Sequence, residues 1–401
     1  MILAKFLNKL FTIGGFVLIG ANQVKYLIGN PVGEKPLTMI LLKKDLHWKL
    51  LWPDYYLGLA YMEGSIKFEN GNLCNFLELA LKNLGRRDSN VIAKTINKIK
   101  GTWSYLTSFS TIEAARISAK HHYDVGGEKG EALYSMYLDK NRQYSCAYWS
   151  EQNMNLDDAQ ISMMDHIIKK LRLAEGKSKV LDIGCGWGGL AMRIAKKTGC
   201  QVTGITLSET QLRYAKEKAR ELKLDNLCEF RFEDYRETKE KYDRVVSKGM
   251  AEHVGRKYYK TYFKAIYDRL ASGGISLVHL IGSIDKPREP QPWITKFIFK
   301  RGYTPSLSEL MPSIESSKLV LNDLEILDGF HYANTIKIWK ERFLKNIDKV
   351  EKLYDSTFAR MWHFYLSSCQ YSFQYRDLVT IQLQLAKDTK LLPITRQYIY
   401  Q

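Results

Sequence analysis

From residue 179 onward, short apolar runs alternate with longer stretches in which apolar positions recur at helical spacing. The apolar runs predict five strands: KVLDIG (179–184), CQVTGITL (200–207), CEFRFED (228–234), YDRVVSKG (242–249) and ISLVHLIGS (275–283). The stretches between them predict three helices: GLAMRIAKKTG (189–199), one that begins after Ser208 as its N-cap, and RKYYKTYFKAIYDRLASGG (256–274), closed by its glycines. Strands that alternate with helices are typical of a parallel, doubly wound α/β sheet.

The alternation is interrupted after the fifth strand. Residues 285–330 are rich in prolines and aromatic residues, which predicts an inserted segment that covers the substrate. Two further apolar runs, LEILDGF (324–330) and LVTIQLQL (378–385), are expected to close the sheet as an antiparallel pair. The predicted fold class is therefore α/β, with a doubly wound, Rossmann-like sheet of seven strands.

The first part of the chain has a different pattern. It predicts a small, mainly helical domain over residues 1–115, which would associate with lipid or form the dimer, followed by a catalytic domain over 116–401. Within the small domain, VKYLIGNP (24–31) and TMILLKKD (38–45) alternate as short strands do, and residues 45–84 have helical spacing.

Two segments near the N-terminus raise the question of a membrane. LGRRDSNVIAKTINKIKGTW (84–103) is basic and amphipathic, and it predicts a helix that faces a membrane, another domain or simply solvent. The apolar run LFTIGGFVLIGA (10–21) is too short to span a bilayer, and no clear signal-peptide cleavage site follows it. We therefore expect a cytoplasmic protein.

Net charge narrows the class of partner. The chain has 60 Lys and Arg against 43 Asp and Glu, a formal charge of +17. This excess favours nucleic acid, an anionic membrane surface or an acidic substrate, unless it only reflects a lysine-rich composition. The basic residues are scattered and match no nucleic-acid-binding module, so we expect no nucleic acid partner. The six cysteines show no Cys-x-x-Cys or zinc-ligand spacing, which indicates reduced thiols and no metal site.

The loop after the first of these strands, DIGCGWGG (182–189), fits the spacing G-x-G-x-x-G of a nucleotide-binding loop. An NAD site would need an acidic residue at the end of the second strand, near Thr206, and none is present there. A P-loop would need Gly-Lys-Ser/Thr, which is also absent. Asp182 precedes the glycines, and Asp234 follows the third strand, where it is suited to accept from an adenine amino group. These features make the loop similar to that of class I S-adenosylmethionine methyltransferases.

Nine short motifs occur in order along the chain: HYDVG (122–126), QYSCAYW (143–149), VLDIGCGWGGLA (180–191), GITLSETQ (204–211), EDYRE (233–237), GMAEHVG (249–255), HLIGS (279–283), PWITKFIF (292–299) and ERF (341–343). Together they resemble the cyclopropane-fatty-acyl-phospholipid synthase family. The N-terminal LGLAYMEG (57–64) is similar to the leader domain of the bacterial enzymes, which the related mycolic acid cyclopropane synthases lack. The resemblance implies S-adenosylmethionine as cofactor, a phospholipid substrate and a homodimer.

The resemblance also implies which residues surround the cofactor. They are Tyr144, Ser145, Asp182, Gly184, Cys185, Gly186, Thr206, Leu207, Gln211, Asp234 and Tyr235. Contacts of Thr206, Leu207 and Gln211 with the ribose and its neighbours would explain why no acid ends the second strand.

The reaction that the resemblance implies is chemically demanding. The cis double bond of an acyl chain attacks the sulfonium methyl group, and the resulting carbocation must lose a proton to close a cyclopropane ring. Such a site needs a base and a dry, aromatic pocket, for which the candidates are Tyr144, Tyr148, Trp149, Phe299 and Tyr303.

Members of the family use a bound bicarbonate as the base. The matching positions are Cys146, Glu252, His279, Ile281 (through its backbone) and Tyr332. Cys369 matches a family cysteine to which a catalytic role has been attributed, with packing inside a helix as the alternative.

Three other functions stay open. A related C-methyltransferase would leave a methyl or methylene branch on a fatty acyl chain or another alkene. The second is a nucleic-acid-binding protein, and the third is an inactive relative of the family. The presence of all the residues that match the bicarbonate site argues against an inactive relative. For the synthase, KPREPQPWITKFIFKRGY (286–303) mixes cations with aromatic residues, so we expect peripheral association with the anionic inner face of the membrane.

Overall fold

The computed structural model describes residues 2–85, 128–300 and 302–400. The motif HYDVG and nearly all of the predicted basic helix at 84–103 lie outside these residues. The described residues pack into two compact units. The first contains those of 1–96, 290–299 and 336–377, and the second contains those of 97–289, 300–335 and 378–401.

The strands and helices of the described residues are as follows. The strands are β1 (Gly15–Ile19), β2 (Lys25–Gly29), β3 (Thr38–Leu41), β4 (Ile66–Glu69), β5 (Lys179–Ile183), β6 (Gln201–Thr206), β7 (Cys228–Phe232), β8 (Tyr242–Lys248), β9 (Leu270–Ser283), β10 (Val320–Leu327) and β11 (Leu378–Ala386). The helices are α1 (Ile2–Leu10), α2 (Leu46–Lys49), α3 (Pro53–Met62), α4 (Leu73–Leu84), α5 (Glu128–Tyr137), α6 (Leu156–Leu171), α7 (Gly189–Thr198), α8 (Glu209–Glu221), α9 (Ala251–Val254), α10 (Tyr259–Arg269), α11 (Pro292–Phe297), α12 (Leu307–Ser316), α13 (Gly329–Lys345), α14 (Ile347–Leu353), α15 (Ser356–Tyr375) and α16 (Gln397–Tyr400).

The sheet of the first unit has the strand order β2-β1-β3-β4. Strand β1 is antiparallel to β2 and parallel to β3, and β3 is antiparallel to β4. The two strands predicted at 24–31 and 38–45 are confirmed. The helical prediction over 45–84 is right for α2, α3 and α4 but wrong for β4, because Ile66 pairs with Leu41 of β3. A strand of four residues is too short for its periodicity to be recognised.

The first unit takes in two segments from much later in the sequence, α11 and α15, which pack against α3. A Cβ atom on Gly58 of α3 would lie 2.7 Å from Nε1 of Trp293 and 2.7 Å from Cε1 of Phe364, so the backbone of α3 closely approaches both rings. The rings of Trp293 and Phe364 are 4.7 Å apart in an edge-to-face contact. The compact unit therefore differs from a continuous domain over 1–115, because its aromatic core is completed by residues some 230 to 310 positions away.

The second unit contains a seven-stranded sheet in the order β10-β11-β9-β8-β5-β6-β7. Strands β7, β6, β5, β8 and β9 pair in parallel, which confirms the predicted doubly wound α/β class. Strand β11 is antiparallel to both β9 and β10, so the predicted closing pair is also confirmed. Ser208 accepts a hydrogen bond from the backbone N–H of Gln211 and caps α8 as expected.

Two predictions for the second unit are corrected. The glycines do not close the helix at 256–274, because α10 ends at Arg269 and Leu270 already pairs with Tyr242 of β8. Gly273 and Gly274 lie inside the long strand β9. The segment 285–330 is not one insertion, since its residues 290–299 belong to the first unit and β10 belongs to the sheet.

A buried ionic network joins helix α6 to strand β10. Lys170 is fully buried, its ammonium contacts the carboxylate of Glu325, and that of Asp323 lies 3.6 Å away. Nε2 of His166, one helical turn earlier, lies 2.6 Å from the same Glu325. Burial opposes ionisation of Glu325, but His166 and Lys170 outweigh it and hold the pKa of this carboxyl at about 2. The network fixes the edge of the sheet against α6.

We expect Glu325→Gln to lower the free energy of unfolding at pH 7 by about 3 kcal/mol, because Lys170 keeps its charge and loses its nearest carboxylate. The folded pKa of Glu325 is depressed, so its contribution is present above the ordinary value of 4.5 and is lost as pH falls from there towards 2. Urea unfolding of wild type and variant at several pH values measures both effects. The control Glu221→Gln, whose side chain is 65% exposed, should change stability by less than about 0.5 kcal/mol. Equal losses in the two variants would contradict the assignment.

Candidate functional site

The carboxyl ends of parallel strands meet at one edge of the seven-stranded sheet. Strand β5 pairs with β6 and β8, and β8 pairs with β9. Asp182 lies near the end of β5, Thr206 ends β6 and Lys248 ends β8. His279 lies on β9 in register with Lys248. Side chains from distant parts of the sequence are thus brought to the edge at which doubly wound sheets bind ligands.

A pocket opens at this edge, and its lining contains all eleven residues that the sequence predicts around the cofactor. These are Tyr144, Ser145, Asp182, Gly184, Cys185, Gly186, Thr206, Leu207, Gln211, Asp234 and Tyr235. The lining also contains residues that were not predicted around the cofactor: Gln143, Trp187 and Met250, which lie within the motifs, and Arg142 and Lys248, which lie in none of them. For Lys248, the one signal in the sequence is a cation that directly follows the run Val245-Val246-Ser247 at the carboxyl end of a predicted strand.

Backbone hydrogen bonds hold the glycine loop against strand β6. The N–H groups of Gly184 and Cys185 both donate to the carbonyl oxygen of Ile205, at 3.0 Å. Gly184 has a φ of +75°, a left-handed conformation that glycine adopts without strain. A Cβ atom on Gly189 would lie 2.3 Å from the carbonyl oxygen of Asn141, so glycine there allows the segment before QYSCAYW to approach the loop.

Two groups of opposite charge line the pocket beside the loop. Burial raises the pKa of Asp182 to about 7, against the opposing charge of Lys248. Its Oδ2 is buried and has no hydrogen-bond partner among the described residues. Burial lowers the pKa of Lys248 to about 8, and its Nζ donates to Oε1 of Gln143 at 2.6 Å. An acceptor and a cation in this environment are suited to a polar ligand that satisfies both.

Polar side chains at or just after the ends of β6 and β7 form hydrogen bonds with residues that follow them in the sequence. Oγ1 of Thr206 and Oε1 of Gln211 lie 3.1 Å apart. Asp234 accepts two hydrogen bonds of 2.7 Å from the guanidinium of Arg236. The contact predicted between Asp234 and adenine would therefore share the carboxylate with Arg236.

A second polar cluster surrounds Glu252, which lies on the short helix α9 after β8. Its Oε1 accepts a hydrogen bond from the backbone N–H of Ile281, while its Oε2 is buried without a partner among the described residues. Burial raises the pKa of Glu252 to about 7. Nδ1 of His279 lies 3.2 Å from Nε2 of Gln382. Burial, followed by the charge of Lys248, lowers the pKa of His279 well below its usual range, so this imidazole is neutral.

The segment QYSCAYW packs against the start of helix α13, which carries Tyr332. The N–H of Ala147 donates to Oγ1 of Thr335 at 3.1 Å, and the indole N–H of Trp149 donates to the carbonyl oxygen of His331 at 3.0 Å. Tyr332 is buried, as is Cys146, whose thiol pKa burial raises to about 12. These contacts bring the parts of the chain that carry Cys146 and Tyr332 together.

Tyr148, one of the aromatic candidates, is stacked between two histidine rings. Its ring centroid is 4.7 Å from that of His166 and 5.2 Å from that of His331, and both pairs are nearly parallel. Through His166, the stack continues into the ionic network of Glu325. The stack gives Tyr148 a structural role in holding QYSCAYW in position.

Two predicted residues belong to the first unit rather than to the unit that contains the pocket: Cys369 on α15, and Phe299. Burial raises the pKa of the Cys369 thiol to about 12, so this thiol is protonated at neutral pH. Its catalytic role stays a prediction. Tyr303, in the second unit, is buried and donates its hydroxyl to Glu309 at 2.8 Å.

Comparison with known proteins gives consistent matches. The family model described as mycolic acid cyclopropane synthetase matches residues 110–383. Cyclopropane-fatty-acyl-phospholipid synthase of Escherichia coli is 38% identical over 282 residues, which cover 70% of this chain and 71% of that protein. A probable fatty acid methyltransferase of Pseudomonas putida is 32% identical over 367 residues, 88% of each chain. The crystal structure of mycolic acid cyclopropane synthase CmaA1 complexed with SAH and CTAB aligns with a TM-score of 0.62 and 26% identity, covering 67% of this chain and 97% of that one.

Proposed function

The chain belongs to the mycolic acid cyclopropane synthetase family, and from this we propose that it converts the cis double bond of unsaturated phospholipid acyl chains to a cyclopropane ring, with S-adenosylmethionine as the carbon donor. One observation carries the proposal: the eleven residues expected around the cofactor line a single pocket. The buried Glu252 and His279 are connected to that pocket through Met250 and Lys248, which line it.

The pocket fits the amino-acid and nucleoside parts of the cofactor. The unpartnered Oδ2 of Asp182 can accept from an ammonium group, and the loop at Gly184 leaves room for close approach of the ligand to the backbone. Gln211 and Tyr235 are in position to line the nucleoside. When bound, S-adenosylmethionine supplies an electrophilic methyl group.

Burial determines what the chain's own side chains can do in the reaction. A glutamic acid with a pKa of about 7 exchanges a proton near neutral pH, and the unpartnered Oε2 of Glu252 is the atom that would hold it. The neutral ring of His279 adds no positive charge beside a cationic acyl chain. Exclusion of water protects such a cation from capture by hydroxide or water.

The polar cluster also fits a small bound anion such as bicarbonate. Three oxygens are buried there without hydrogen-bond partners among the described residues: Oε2 of Glu252, Oγ1 of Thr380 and Oε1 of Gln382. Toward bicarbonate, the Thr380 hydroxyl and a protonated Glu252 can donate, whereas Oε1 of Gln382 can accept from the bicarbonate hydroxyl. Thr380 and Gln382 lie on β11 in register with Ile281 and His279. Cys146, Glu252, His279, Ile281 and Tyr332 would hold bicarbonate, which would supply the base for the last proton transfer.

A second candidate function is a C-methyltransferase that leaves a methyl or methylene branch on the acyl chain. The Pseudomonas putida relative, which matches over 88% of this chain, has the name of a probable fatty acid methyltransferase. The two functions share the cofactor and the first bond formed, and they differ in the fate of the cation.

The proposal includes peripheral association with an anionic membrane. The structure contains no helix, within its described ranges, that has the length and apolar character needed to cross a bilayer. Trp293 in the segment 286–303 is buried, so it is unsuited to insert into lipid. Trp48 and Trp52 are better candidates, because they are 51% and 60% exposed, and lysines at 43, 44 and 49 are close to them in sequence. The cytoplasmic location and the homodimer stay predictions, the latter testable by sedimentation equilibrium.

The lipid product tests the proposed function. We expect expression of the chain in a bacterial strain with unsaturated but no cyclic lipids to convert olefinic acyl chains to products one CH2 heavier, without a double bond. Mass spectrometry and NMR of the fatty acid methyl esters identify the ring. Methyl-branched or methylene products would support the second candidate. Unchanged lipids from a strain that contains folded, cofactor-binding protein would contradict both.

We expect Glu252→Gln to lower turnover by roughly 10²–10⁴-fold, because the amide cannot exchange the proton that the acid exchanges. The amide oxygen can still accept from Ile281, so the dissociation constant for S-adenosylhomocysteine should stay within about threefold of wild type. Calorimetry and turnover measured across pH 6–9 separate the two effects. The exposed Glu217→Gln serves as the control. Near-normal turnover of Glu252→Gln would show that this carboxyl is not the essential acid.

We expect the double variant Trp48→Ala/Trp52→Ala to bind vesicles of anionic phospholipid roughly tenfold or more weakly, since two exposed indoles no longer transfer to the lipid interface. Co-sedimentation with vesicles measures the binding, and turnover on a soluble short-chain substrate checks that the site is intact. Leu222→Ala/Phe232→Ala removes two exposed apolar side chains elsewhere and is the matched control. Equal binding of wild type and both variants would exclude this surface.

A further inference from the structure

Lys248 is an unusual residue for the wall of this pocket. It ends strand β8 at the carboxyl edge of the sheet, and its side chain is half-buried beside the glycine loop. An ammonium group has three N–H donors, and the one hydrogen bond of Lys248 within the described residues goes to Oε1 of Gln143, at 2.6 Å. Donors remain available for a ligand.

Other charged groups of the pocket, apart from Asp182, have partners of opposite charge. Arg142 pairs with Glu131 at 3.2 Å and Asp234 pairs with Arg236 at 2.7 Å. Lys248 makes no ion pair within the described ranges, although Asp182 lines the same pocket. The pocket therefore presents a cation and a carboxylate that do not satisfy each other directly.

Such a pair is complementary to a zwitterion. The amino-acid end of S-adenosylmethionine has an ammonium group and a carboxylate on the same carbon atom. The unpartnered Oδ2 of Asp182 is suited to accept from the ammonium group, and the free donors of Lys248 are suited to the carboxylate. A carboxylate in contact with Lys248 would also shield the sulfonium from the lysine charge.

We propose that Lys248 binds the α-carboxylate of the amino-acid end of S-adenosylmethionine, opposite Asp182. The assignment rests on the proposed function, because it takes S-adenosylmethionine as the ligand. Lys248 is also in register with His279 on β9, so a bicarbonate held near His279 is a second source of the same oxyanion chemistry. The two sources of the anion can be distinguished by removing the lysine. Loss of affinity for the nucleoside indicates the α-carboxylate, whereas loss of affinity for bicarbonate indicates bicarbonate.

The test compares two nucleosides that differ at the amino-acid end. S-adenosylhomocysteine contains this end, and 5′-methylthioadenosine lacks it. We expect Lys248→Met in the full chain to weaken S-adenosylhomocysteine by about 10–100-fold in calorimetry, the effect of losing a charge-assisted hydrogen bond. Affinity for 5′-methylthioadenosine should stay within about twofold of wild type. Lys248→Arg should restore part of the affinity, and the exposed Lys216→Met is the matched control.

The alternative results are distinct. Equal weakening of both nucleosides by Lys248→Met would overturn the proposal, since the lysine would then act on the shape of the pocket. Unchanged nucleoside affinity together with a raised bicarbonate requirement for turnover would also overturn it, in favour of bicarbonate as the bound anion. A wild-type chain that binds neither nucleoside would overturn the proposed function itself. Thermal unfolding of each variant identifies any loss of folding.

Discussion

The position of β8 between β5 and β9 is the constraint on which the candidate site depends. Because all three strands run in the same direction, their carboxyl ends bring Asp182, Lys248 and His279 to one edge of the sheet. The same register positions α9, and with it Glu252, beside the backbone of Ile281. Cofactor pocket and polar cluster are therefore consequences of one pattern of strand pairing, and neither needs a separate scaffold.

Burial gives this edge its chemical character. Charged groups in a medium of low polarity lose hydration, so their pKa values shift in the direction that favours the neutral form. Asp182 and Glu252 both have pKa values raised to about 7, and His279 is neutral. Side chains that carry little charge near neutral pH are suited to chemistry in which a cation forms in an acyl chain. A fixed positive charge would repel that cation, and a fixed negative charge would hold it in place. Lys248 is the exception among these groups, because its positive charge favours the binding of an anion.

The sequence was sufficient for what depends on local pattern and insufficient for what depends on distant contacts. The strands from β5 to β9, the cap at Ser208 and the glycine loop all follow from short-range periodicity and motifs. Strand β4 was missed because four residues have little periodicity, and the end of α10 was missed because pairing of Leu270 with Tyr242 outweighs the glycines that follow. Lys248, Thr380 and Gln382 belong to no motif, and only the sheet register brings them to the site. The packing of Gly58 against Trp293 and Phe364 likewise has no local signal.

The make-up of the first unit has a consequence for synthesis of the protein on the ribosome. Helix α3 emerges early, but Trp293 and Phe364, which cover it, follow some 230 to 310 residues later. At roughly 5–20 residues per second, the apolar face of α3 waits tens of seconds for its partners. During that interval the nascent N-terminal segment is a natural client for chaperones that shield apolar surfaces. The ring-against-backbone contact at Gly58 therefore forms among the last in the chain, although Gly58 is among the first residues made.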